Sequence, residues 1–138
     1  MTATMAASQP STASSVFVVD DEPDIRMLAR AFLERAGFEV IGEAEDGPQA
    51  LERFHTFDPP TNPTVVLLDN RMPGLTGLEV AEQILAQHPT QKIVLFTAFL
   101  DDALQKQASA IGITACASKM EAFRIPEIIK GVLPATYE

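Results

Sequence analysis

Val65-Val66-Leu67-Leu68-Asp69-Asn70-Arg71-Met72-Pro73-Gly74-Leu75-Thr76-Gly77 is the stretch on which the reading of this chain turns. Four apolar residues follow one another without alternation, as in a strand covered on both faces. The run stops at a carboxylate and passes into a loop punctuated by proline and glycine. Outward from it the same pattern recurs. Val16-Phe17-Val18-Val19 ends in Asp20-Asp21, Ile93-Val94-Leu95-Phe96 ends in Thr97, and the weaker Thr114-Ala115-Cys116-Ala117-Ser118 ends in Lys119.

Helical periodicity separates these runs. Pro23 suits a first helical turn, and Ile25, Leu28, Ala29, Phe32, Leu33 and Ala36 fall at the spacing of one buried face, closed by Gly37. Residues 38–44 alternate in part, as an edge strand does, and a second helix is predicted from about Pro48. Three prolines in residues 58–63 demand a loop. A third helix carries Leu78, Ala81, Ile84 and Leu85 and ends before Pro89. A fourth spans about 100–111 and stops at Gly112, and a last one begins near Pro126. Five strands alternating with helices imply right-handed crossovers and an α/β fold, a doubly wound five-stranded parallel sheet with helices on both faces. The runs at 16, 65 and 93 are the most apolar and belong in the centre.

In such a sheet ligands bind at the carboxyl ends of the strands. Asp20, Asp21 and Asp69 then converge with Thr97 and Lys119 on one rim. Three carboxylates suit a hard cation such as Mg²⁺, while a hydroxyl and an ammonium are donors for an anion. That combination describes a Mg²⁺-dependent phosphoryl site with a carboxylate nucleophile.

The chain of 138 residues is 46% hydrophobic, enough for one domain with a core. Its net charge of −9 argues against nucleic-acid binding by this domain, which needs clustered positive charge. A single cysteine, Cys116, excludes an internal disulfide and reads as a small buried hydrophobe. No segment is long and apolar enough for a membrane span, and residues 1–15 lack the basic and apolar regions of a signal peptide. The expectation is a cytoplasmic protein with a disordered tail at 1–15, one domain at 16–134 and a short C-terminal tail at 135–138.

With Asp20-Asp21, the Leu68–Gly77 stretch, Phe96-Thr97-Ala98 and Lys119 in this order, the sequence resembles a receiver domain of a two-component response regulator. The resemblance implies a sheet of order 2-1-3-4-5 and a phosphorylation-controlled switch. Asp69 would be the phosphoacceptor. Asp21, Asp69 and the backbone carbonyl of Asn70 would ligate Mg²⁺ (or Mn²⁺), with Asp20 acting largely through water. Thr97, Lys119 and the backbone N–H of Ala98 would bind phosphoryl oxygens, and Arg71 and Phe99 would tune dephosphorylation. A sensor histidine kinase or phosphotransfer protein would supply the phosphoryl group. A downstream protein or a C-terminal output domain would read the result, and a homodimer is compatible with that role. Such a domain is no enzyme beyond catalysing its own phosphorylation and dephosphorylation.

The sequence departs from the family pattern at two places. Cys116 occupies the position where receivers carry Tyr or Phe, so the usual coupling between that ring and Thr97 lacks its moving part. Met120 replaces the common proline after the lysine. Two other classes compete with the switch. A Mg²⁺-dependent aspartyl phosphatase would carry an acid two residues after its nucleophile, where this chain has Arg71. A non-phosphorylated interaction module would not need the complete acid set.

Overall fold

The computed structural model describes residues 14–58 and 62–133; the greater part of the expected tail at 1–15, and all of that at 135–138, lies outside them. Five parallel strands form one sheet: β1 (Ser15–Val19), β2 (Glu39–Ala44), β3 (Val65–Leu68), β4 (Lys92–Thr97) and β5 (Ala115–Ser118), in the order 2-1-3-4-5. The helices are α1 (Pro23–Arg35), α2 (Gly47–Phe54), α3 (Gly77–Gln87), α4 (Asp102–Ile111) and α5 (Ile125–Val132). The three most apolar runs are the central strands, because only there do both faces meet helices.

Successive residues of each central strand serve opposite layers. Phe17, Val19, Val66, Leu68, Ile93 and Leu95 pack with residues of α2, α3 and α4. Val16, Val18, Val65, Leu67, Val94 and Phe96 pack with Ala29 and Leu33 of α1 and Ile125 and Ile129 of α5. Full burial of one such side chain stabilises the fold by roughly 1.5–3 kcal/mol, so the sheet is the main source of cohesion.

Local sequence departs from expectation at three points. β1 takes in Ser15, whose hydroxyl donates to Asn62 Oδ1 (3.0 Å) and accepts from Thr64 N (2.9 Å). Leu28 is 42% exposed. It sits on one flank of the α1 stripe, and the helix is rolled so that Ala29 and Leu33 enter the core instead. A 3₁₀ segment, Lys119–Arg124, precedes α5, which begins at Ile125. Ser118 Oγ accepts the Met120 N–H at 3.1 Å, a bond that a proline at 120 could not make, and the peptide there is trans.

Register brings the strand ends level. Val19 pairs with Leu68, Leu68 with Leu95, and Thr97 with Ser118. The loop between β3 and α3 is pinned by glycines. Gly74 has φ +87°, and a Cβ on Gly77 would lie 2.3 Å from the carbonyl oxygen of Asp69. Thr76 and Glu79 then close α3 with a capping box. Gly77→Ala should therefore destabilise the protein by about 1–3 kcal/mol, an overpacking cost that exceeds the helix propensity gained. Urea unfolding checks this; an unchanged or raised midpoint would mean that the close approach is easily relaxed.

Candidate functional site

Asp20 follows β1 and Asp69 follows β3, and the pairing of those strands sets them side by side, with Asp69 N donating to Val19 O at 2.9 Å. Both carboxylates are buried, at 1% and 2% exposure, whereas Asp21 is exposed. One oxygen from each of Asp20, Asp21 and Asp69 can be chosen so that all three lie within 4.8 Å of one another. From the end of β5, Lys119 reaches across this group. Its Nζ is 2.8 Å from Asp20 Oδ2 and 3.3 Å from Asp69 Oδ1.

Each carboxylate has two unlike oxygens. Asp20 Oδ1 accepts the Glu22 N–H at 2.9 Å. Asp20 Oδ2 is buried and, beyond its ion-pair contact with Lys119, accepts no hydrogen bond. On Asp69 the contacts fall on Oδ1, which takes Lys119 and, at 3.4 Å, the Arg71 N–H. Oδ2 of Asp69 has no partner among the described residues.

Burial and then the charge of Asp20 push the Asp69 carboxyl up to about 7, and burial also raises Asp20. Burial works against the Lys119 ammonium, but pairing with Asp20, Asp69 and Glu22 outweighs it and raises its pKa. The cluster is thus short of positive charge: one ammonium is shared by the buried Asp20 and Asp69 and by Glu22, and none among the described residues reaches Asp21. A hard divalent cation would answer that deficit, so the residues present fit one.

The other predicted residues lie around the same opening. Asp21, Glu22, Asp69, Arg71, Thr97, Ala98, Phe99 and Lys119 line a cavity of about 230 Å³. Thr97 is buried and its Oγ1 accepts the Phe99 N–H at 3.4 Å. The Ala98 N–H makes no hydrogen bond among the described residues. The Asn70 carbonyl accepts the Gly77 N–H at 2.9 Å, which leaves one lone pair, and the Asn70 side chain accepts from Leu78 N at 3.2 Å. The Arg71 guanidinium carbon stacks 4.8 Å from the centre of the exposed Phe99 ring, so two residues read separately in the sequence form one rim element. Cys116 stands apart from the cavity, half-buried against the core beneath α2–α4, and burial pushes its thiol up.

Glu22 was not among the sequence candidates. It occupies the N-cap position of α1 without capping it, and its carboxylate lies 3.3 Å from Lys119 instead. The signal available in the sequence was its place as the third acid in Asp20-Asp21-Glu22.

The raised carboxyls give stability a definite pH dependence. The unfolded chain releases the Asp69 proton near pH 4, and the folded chain holds it to about pH 7. The Asp69 contribution therefore falls as pH rises across that window and is constant above it. In metal-free buffer Asp69→Asn should be more stable than the wild type by about 1–3 kcal/mol at pH 8, the scale of a poorly compensated buried charge. The gap should shrink towards pH 4. Urea unfolding of both proteins across this range checks it; a gap independent of pH would contradict the assignment.

A family model described as response regulator receiver domain matches residues 16–130. The chain is 31% identical over 97 residues to chemotaxis protein CheY of Thermotoga maritima, a match covering 70% of this chain and 78% of that protein. It is 36% identical over 104 residues to protein-glutamate methylesterase/protein-glutamine glutaminase 3 of Hahella chejuensis, covering 72% of this chain but only 29% of that longer protein. Among solved structures, the response regulator protein TrrA of Thermotoga maritima, in complex with Mg(2+)-BeF, superposes with a TM-score of 0.76 at 35% identity, over 87% of this chain and 99% of that one. With the family model running from the first strand into the last helix, this chain belongs to the response regulator receiver domains of two-component systems.

Proposed function

We propose that this receiver domain is a phosphorylation-controlled signalling switch with Asp69 as its phosphoacceptor. The observation that carries this reading is the unequal environment of the Asp69 carboxylate. Oδ1 is held by Lys119 and the Arg71 N–H, while Oδ2 is without a partner among the described residues and the group lines an open cavity. In the transfer, a carboxylate oxygen of Asp69 bonds to phosphorus as the P–N bond of a phosphohistidine breaks, and the departing imidazole nitrogen takes a proton. The donor is a sensor histidine kinase or phosphotransfer protein.

Asp20, Asp21, Asp69 and the Asn70 carbonyl would hold Mg²⁺, or Mn²⁺ in its place. The metal supplies positive charge that offsets both the acid cluster and the incoming phosphoryl oxygens. Lys119, Thr97 and the Ala98 N–H receive those oxygens. Arg71 and Phe99, stacked at the rim, tune the return reaction by screening the acyl phosphate from water. The domain acts on no substrate beyond its own Asp69. Its readout is a downstream protein, a C-terminal output domain or a homodimer. The net charge of −9 argues against nucleic acid as a direct ligand. No helix among the described residues is long and apolar enough to cross a membrane, and the cytoplasm, where histidine kinases present their phosphoryl groups, is the proposed location.

Intact mass spectrometry after incubation with acetyl phosphate and Mg²⁺ tests the assignment. The wild type should gain one phosphate and Asp69→Asn none. An adduct on the variant would move the acceptor elsewhere, rapid turnover of phosphoesters would indicate a phosphatase, and no adduct on the wild type would indicate an interaction module.

Cys116 generates a second test. A receiver state can change only as far as phosphate favours one conformation over another, and position 116 has no ring to move. Beryllofluoride should therefore alter hydrogen exchange across residues 99–118 only slightly in the natural chain, and more in Cys116→Tyr. A large change in the natural chain, no greater in the variant, would assign the relay to another side chain.

A further inference from the structure

Asp21 is the one acid of the cluster with no support of its own. Among the described residues its carboxylate makes no hydrogen bond and no ion pair, and it is exposed. Asp20 is fixed by Glu22 N and Lys119, and Asp69 by Lys119 and Arg71 N. The direction in which the Asp21 side chain leaves must therefore come from its backbone, above all from the peptide joining it to Asp20. The carbonyl of that peptide has a partner. It accepts a hydrogen bond from Nη1 of Arg26, one turn into α1.

Arg26 is itself held in place. Its Nε donates to Glu43 Oε1 at 3.1 Å, and its side chain is only 16% exposed. The other Glu43 oxygen takes Arg30, at 2.8 Å from Nε and 2.7 Å from Nη2, while the Glu43 main-chain carbonyl accepts from Arg53 of α2. Edge strand β2 thereby anchors a guanidinium fork whose second prong ends on the acidic loop. On the preceding peptide, Asp20 N donates to Ala44 O at 3.0 Å. Both peptides flanking the Asp20 Cα are thus tied to the end of β2, one directly and one through Arg26 and Glu43.

We propose that Arg26 is a positioning residue for the metal-binding acids: it fixes the Asp20–Asp21 peptide and so aims a carboxylate that no other described residue holds. The role rests on the reading of the cluster as a Mg²⁺ site. Lysine cannot replace the fork, because a point ammonium does not span Glu43 and the carbonyl in a fixed plane.

Two variants that remove the same charge separate this role from the alternatives. Arg26→Met loses the carbonyl bond, and Arg30→Met loses a comparable Glu43 pair without touching Asp20. By charge alone, both would bind Mg²⁺ more tightly than the wild type, since each removes a cation near the acids. Positioning predicts the opposite sign for one of them. Calorimetric titration with MgCl₂ should show about tenfold weaker binding in Arg26→Met, the usual scale for residues that orient metal ligands. Arg26→Lys should recover little of the loss, and Arg30→Met should bind at least as tightly as the wild type. In metal-free buffer, amide exchange at Glu22 should quicken in Arg26→Met and stay near wild type in Arg30→Met. Equal weakening in both variants, or undiminished affinity in Arg26→Met, would overturn the proposal. Failure of the wild type itself to bind Mg²⁺ would overturn the metal reading and the aim of the proposal together, while unaltered Glu22 exchange in Arg26→Met would overturn the fixing of the loop alone.

Discussion

The rim of this sheet depends on one ammonium. Lys119 lies within 3.3 Å of three carboxylates contributed by the ends of β1 and β3 and by the start of α1, and two of those acids are buried. Bringing Asp20 and Asp69 together in a poorly solvated place opposes folding, and one cation shared among three acids compensates only part of that cost. The remaining deficit of positive charge is one that a divalent ion would offset.

The central strands make that arrangement affordable. Their side chains enter two apolar layers, one under α2, α3 and α4 and the other under α1 and α5. Stability resides in the body of the sheet, so the carboxyl ends can carry strained electrostatics without loss of the fold. The loop from Asp69 to Gly77 works in the same way. Gly77 lets the first turn of α3 come against the Asp69 carbonyl, and the capping box then locks the helix start.

The bulky side chains of the rim stand elsewhere than at position 116, where the family carries its aromatic ring. Cys116 packs on the α2–α4 side of the sheet and has little volume to displace. The parts of the rim with bulk are Phe99 and Arg71, stacked on each other at the mouth of the cavity, and Glu22, which shares Lys119. A charge arriving at Asp69 would reach these groups first. On the opposite side of β1, the network of Arg26, Glu43, Arg30 and Arg53 ties the acidic loop to the edge strand and to two helices.

Much of this was legible in the residues. The alternation of apolar runs and helical periodicity determined an α/β fold, because hydrophobic period reports which faces are covered. The polarity of residues 65–68 against 39–44 separated a central strand from an edge. The strand-end residues Asp20, Asp21, Asp69, Thr97 and Lys119 followed from the rule that parallel strands present their carboxyl ends together. Tertiary structure alone decided which atoms pair. Glu22 meets Lys119 across 97 residues of chain, Arg71 meets Phe99 across a loop, and Arg26 finds the Asp20 carbonyl only because β2 holds Glu43 beside it. Leu28 was misplaced for the same reason: periodicity defines a stripe, but the roll of the helix against its sheet selects which edge of that stripe is buried. Patterns in sequence encode faces and ends, whereas partners depend on through-space distances that no local period contains.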